Sequence, residues 1–133
     1  HYSEIFDPLN WNEIKSMLSS DLCTIGAHTD THPILSKCDY NEQYREIKSS
    51  KEKIEKELKL IIKNFAYPNG SISDFNNDTI NILNELEFDY AFTTQFGYNK
   101  IFKPLEIQRI GITSDLSFLK YKLIINRLWR TFA

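Results

Sequence analysis

Apolar residues recur along the chain in blocks that switch between two periods. Trp11, Ile14 and Leu18 share one helical face, and Asn10 with Glu13 three residues later supplies the capping pair that opens such a helix. Ser19-Ser20-Asp21 ends it, and the compact apolar run over 22–27 predicts a short buried strand. A second capping pair, Asp39 and Glu42, opens a charged segment in which Tyr44, Ile47, Ile54 and Leu58 repeat at helical spacing. This predicts the longest helix, ending near Leu60, with its lysines and glutamates forming a solvated face. Residues 61–66 read as the next strand, closed by the turn residues Tyr67-Pro68-Asn69-Gly70. A helix over 75–87 follows, then strands over 88–94 and 107–112, separated by a turn-rich stretch around Gly97 and Pro104. A last helix is expected from Asp115, with Leu116, Leu119, Leu123, Ile124 and Leu128 on one stripe as a packed covering face.

Strands alternating with helices imply an α/β fold with parallel pairing through right-handed crossovers. The loops after the carboxyl ends of such strands share one rim. That rim would bring the loop at His28 toward the 67–70 turn and the loop after Thr94.

Composition narrows the class. A length of 133 residues fits a single domain, and 41% hydrophobic residues argue for a folded core. Sixteen basic against eighteen acidic side chains give a net charge of -2, which offers no footprint for nucleic acid. Apolar runs such as Leu123-Ile124-Ile125 fall far short of the roughly 20 residues of a membrane span. Cys23 and Cys38 read as two structural thiols, with a disulfide possible only in an oxidising compartment. The chain begins with His1 and carries no signal-peptide pattern, so a fragment or processed product is expected.

The candidate chemistry sits after the first predicted strand. His28 and His32 flank Thr29-Asp30-Thr31, where two imidazoles can reach one divalent ion, although two histidines four apart also arise by chance. A catalytic site of this kind needs a third ligand; Asp30 and Asp39 are the nearest candidates, and Asp30 can instead cap the turn. The 67–70 segment has two readings: a plain β-turn, or a rigid turn that aims the Asn69 N–H at an oxygen developing negative charge in acyl transfer.

Four blocks carry a family resemblance: Ile25-Gly26-Ala27-His28-Thr29-Asp30-Thr31-His32-Pro33 with Leu35-Ser36, then residues 65–70, then Asp89 to Thr94, then Arg109-Ile110-Gly111-Ile112. In that order they resemble the polysaccharide deacetylases of carbohydrate esterase family four, the NodB-homology domain, from about Trp11 to about Leu119. The resemblance implies a partial (β/α) barrel, a deformed TIM-type barrel without its first strands, filling 1–133 as one partial domain. It implies a metal-dependent hydrolase that removes acetyl groups from amino sugars of a cell-envelope glycan, with zinc as the expected ion on His28 and His32. Tyr67, Pro68, Gly70 and Phe92 would then line the substrate, and Asn69 would give the oxyanion donor.

The departures matter as much. Family members carry an aspartate pair in a T-F-D-D-G type motif ahead of the histidines, whereas Glu4, Asp7, Glu13 and Asp21 stand singly here. Ala66 and Tyr67 occupy the positions where the widespread form has arginine and proline, and no histidine follows Arg109. The expectation is a deacetylase fragment that is inert alone. The alternative is a non-catalytic module that binds glycan or metal, with Tyr67, Phe92 and Tyr98 stacking on sugar rings. An unclosed parallel sheet also predicts self-association through its open edges.

Overall fold

The structure, a computed structural model, describes residues 8–127. Its elements run α1 (Trp11–Leu18), a single 3₁₀ turn (Leu35–Lys37), α2 (Tyr40–Leu58), β1 (Asn64–Ala66), α3 (Asn77–Glu85), β2 (Tyr90–Phe96), β3 (Ile107–Arg109) and α4 (Phe118–Ile125). The three strands form an open parallel sheet in the order β1-β2-β3. The fold is therefore α/β, as the alternation of periods requires.

Local chemistry sets the helix boundaries. Both predicted capping boxes form: Asn10 with Glu13 at α1, and Asp39 with Glu42 at α2. Lys59, in the left-handed region with φ 57°, closes α2. The turn that follows is locked from inside the helix, because Glu55 accepts the Lys51 ammonium at 2.6 Å and the Ile62 N–H at 2.9 Å. Burial opposes the Glu55 charge, yet those two donors hold its carboxyl below the usual range.

The sheet has two unlike faces. Phe65, Ala91 and Thr93 point into the layer of α2 and α3, where Ile47, Ile82, Leu83 and Phe88 complete the core. A buried polar link joins the two helices: the Thr79 hydroxyl donates to Gln43 Oε1 at 2.6 Å, and the Gln43 amide donates to the Cys38 carbonyl. On the opposite face, alternate residues of the same strands are uncovered, with Tyr90 and Phe96 each 44% exposed.

Several expectations are corrected here. The strand expected over 22–27 shrinks to one bridge, Ala27 to Phe65, and Leu22 is 88% exposed. Ala27 pairs with β1 on one side, and among the described residues no strand pairs with it on the other, so the run cannot propagate. The strand expected over 107–112 stops at Arg109. The last helix starts later than Asp115 because the Ser117 side chain caps it, accepting the Lys120 N–H. Only Ile124 of its stripe is buried and Leu119 is 69% exposed, so α4 is not a packed cover; Leu128 lies outside the described residues. The charged face of α2 is also not simply solvated, since the Lys51 ammonium reaches the Ile62 carbonyl and lies 5.2 Å from the Phe88 ring centroid. Cys23 and Cys38, by contrast, are free thiols, in line with the reading of two unpaired cysteines. Finally, the β3 edge is blunted: the Asn99 side chain accepts the Gln108 N–H at 2.9 Å and donates to its carbonyl at 3.0 Å.

Candidate metal centre

The bridge at Ala27 places the first histidine. Its N–H donates to the Asn64 carbonyl and its carbonyl accepts the Ala66 N–H, both at 2.9 Å, which delivers His28 to the carboxyl end of β1. A side chain on Gly26 would meet the Asn64 carbonyl at 2.9 Å, so glycine permits this close approach.

His28 is then held by its own ring. Its Nδ1 lies 2.7 Å from the Ala66 carbonyl oxygen. A carbonyl only accepts, so Nδ1 carries a proton, and in the tautomer this selects Nε2 is the atom left to act as a ligand. The His32 ring lies 4.8 Å from it, centroid to centroid, with the planes 69° apart. Both histidines are exposed. The intervening turn is tight: Thr29 and His32 adopt φ of 65° and 62°, and Thr29 Oγ1 accepts the His32 N–H at 3.1 Å. Two outward-facing imidazoles close together, one with its tautomer set by a backbone acceptor, fit the donor chemistry of a divalent ion.

The third ligand is a different matter. Among the described residues no group of three His, Cys, Asp or Glu side chains converges as a metal site. Asp30 turns to α2, where its carboxylate meets the Ser49 hydroxyl at 3.3 Å and the Lys53 ammonium at 3.6 Å. Asp39 is occupied as the α2 cap.

The 67–70 turn stands at the same rim, because Ala66 precedes it and also anchors His28. Asn69 sits at φ 57°, the Gly70 N–H returns to the Pro68 carbonyl, and Thr94 ties the turn to β2 through both its N–H and its hydroxyl. Asn69 is exposed, and its N–H donates to no acceptor among the described residues.

The aromatic expectations divide. Phe92 is half-buried and lines a groove of ≈ 470 Å³ together with His28, Ala27, Asn64 and Ala66. Tyr67 does not reach that groove with its ring. The ring is 2% exposed, stacked on Phe75 at 4.0 Å, with its hydroxyl donating to the Leu105 carbonyl at 2.6 Å. Burial pushes that hydroxyl's pKa up. Tyr67 is thus a core residue and cannot stack on a sugar, and Pro68 is equally enclosed. Tyr98 likewise serves the fold, donating to the Ile124 carbonyl and lying under the Arg127 guanidinium.

One residue escaped the sequence reading. Glu46 on α2 accepts the backbone N–H groups of Asp30 and Thr31 at 3.1 and 2.8 Å, and the Thr31 hydroxyl at 3.0 Å. The available signal was a polar stripe, Glu46, Ser49 and Lys53, at the i, i+3, i+7 spacing of one helix face.

Comparisons with known proteins give the family and the fold. The family model for polysaccharide deacetylase matches residues 3–91, and the chain belongs to that family. No curated protein sequence matches it. Among solved structures, the chain is similar to the Streptococcus pyogenes deacetylase PplD in complex with acetate, at 26% identity and a TM-score of 0.76, covering 91% of this chain and 53% of that one. It shares its fold with IcaB from Ammonifex degensii, at 23% identity and a TM-score of 0.73, covering 93% and 55%. A mutant of BA3943, a CE4 family pseudoenzyme, matches at 16% identity and a TM-score of 0.55, covering 90% and 48%. The chain thus spans about half the length of these structures. Its open three-stranded sheet is a partial NodB-like deacetylase fold.

Proposed function

We propose that this chain carries the histidine half of a metal-dependent deacetylase that removes acetyl groups from amino sugars of a cell-envelope glycan. The observation that carries the reading is the His28–His32 pair, 4.8 Å apart, with the His28 tautomer set by the Ala66 carbonyl. His28 and His32 would hold the ion, with zinc as the expected one because imidazole nitrogen is among its usual ligands. Such an ion, when bound, supplies Lewis acidity and a water of lowered pKa. Of the chain's own residues, Asn69 would offer an N–H to a developing oxyanion and Phe92 would border the acyl sugar, whereas Gly70 is buried against Thr94.

Among the described residues no third ligand joins the pair, and no adjacent acidic pair precedes His28, so residues 1–133 alone are expected to be inert. The same observation favours a second reading, a non-catalytic module that binds glycan or metal. Incubating the chain with acetylated chitooligosaccharide and zinc tests inertness. No acetate release above background is expected, and turnover abolished by chelator would overturn it.

Two copies are further expected to associate through the uncovered sheet face and the edge at Ala27, the β3 edge being blocked by Asn99. Light scattering should give a mass above one chain that rises with concentration. A monomer across the whole range would contradict this.

A further inference from the structure

We propose that Glu46 is the positioning residue of the histidine pair, setting the spacing of His28 and His32 before any ion arrives. This rests on the reading of those histidines as metal ligands and adds to it a residue from a different element.

The loop needs such a clamp. Thr29 and His32 both sit in the left-handed region, at φ 65° and 62°, and Thr29 is β-branched, for which that conformation is a genuine outlier. Strained backbone of this kind persists only where its surroundings over-determine it. The residues between the two strained positions are Asp30 and Thr31, and both backbone N–H groups converge on one oxygen of Glu46, Oε2, at 3.1 and 2.8 Å. The other oxygen, Oε1, takes the Thr31 hydroxyl at 3.0 Å. One carboxylate thus fixes three donors of the segment that joins the two imidazoles. Glu46 is itself fixed, because it is one position before Ile47, which is fully buried in the core. Ser49 and Lys53, on the same helix face, hold the Asp30 carboxylate. The linkage runs from core to helix to loop to ligand spacing, and outer residues that orient ligands typically change metal affinity 10- to 100-fold when removed.

The test compares Glu46→Ala, Glu46→Gln and Glu46→Asp with the unaltered chain, using Zn²⁺ alone in competition with a chromophoric chelator. It also follows amide hydrogen exchange at Asp30 and Thr31 in the metal-free protein. Glu46→Ala should weaken Zn²⁺ binding about 10- to 100-fold and speed exchange at both amides, with the urea midpoint near that of the unaltered chain. Glutamine retains an acceptor for the two N–H groups without the charge, so Glu46→Gln should restore most of the affinity. Aspartate keeps the charge but is one methylene shorter, so Glu46→Asp should remain impaired in both readouts; it also decides the matter if the alanine variant does not fold. Unchanged exchange at Asp30 and Thr31 in the alanine or aspartate variant would overturn the proposal. So would a glutamine variant as impaired as alanine, which would reduce Glu46 to a bulk charge. A chain with no Zn²⁺ affinity at all would overturn the ligand reading, while metal-free exchange would still judge the clamp.

Discussion

The two faces of the sheet are made by alternate residues of the same strands, yet they differ in almost every respect. Toward α2 and α3, Phe65 and Ala91 are at most 1% exposed and every buried side-chain polar atom among the described residues has a partner. On the other face, Tyr90, Phe96 and the neighbouring Phe102 stand open at 44%, 44% and 62%. The difference teaches where this chain's stability resides. The helix-covered layer is a finished core, whereas the aromatic residues of the uncovered face meet their neighbours ring to ring, Tyr90 with Phe102 and Phe96 with Tyr98, and leave much of their surface to water.

The sharpest way to break this comparison is a matched pair of truncations. Ile82→Ala, at a fully buried position, should cost about 2–5 kcal/mol in urea unfolding. Phe96→Ala, on the open face, should cost less, about 1–2 kcal/mol, because Phe96 is already 44% exposed and keeps an edge contact with Tyr98. Equal losses would mean that the open face is covered in solution. A smaller effect sharpens the contrast at the turn. Tyr67→Phe removes the hydroxyl that satisfies the Leu105 carbonyl, so it should lower stability by roughly 1–3 kcal/mol. It should leave glycan binding untouched, since the ring faces the core; loss of binding at unchanged stability would return Tyr67 to the groove.

Much of this was legible in the sequence because it is local. Asn10 with Glu13 and Asp39 with Glu42 announce two helix starts by side-chain chemistry alone, and both form. The alternation of strands and helices placed the loop at His28 and the 67–70 turn at one rim, and the structure links His28 to that turn through Ala66. What was not legible depends on partners distant in sequence. The 22–27 run has strand composition, but a strand needs neighbours, and among the described residues Ala27 pairs only with β1. Tyr67 looks like a groove residue until Phe75 and Leu105 are seen to enclose it. Glu46 is one charge among many on α2, and only the fold reveals that it meets the Asp30 and Thr31 amides.

The central claim is that His28 and His32 together form a two-donor half of a metal site, and zinc titration followed by calorimetry tests it most directly. The account predicts one zinc ion per chain, bound weakly for lack of a third protein ligand, with binding abolished equally by His28→Ala and by His32→Ala. Binding that survives either substitution, or no binding to the unaltered chain, would contradict it.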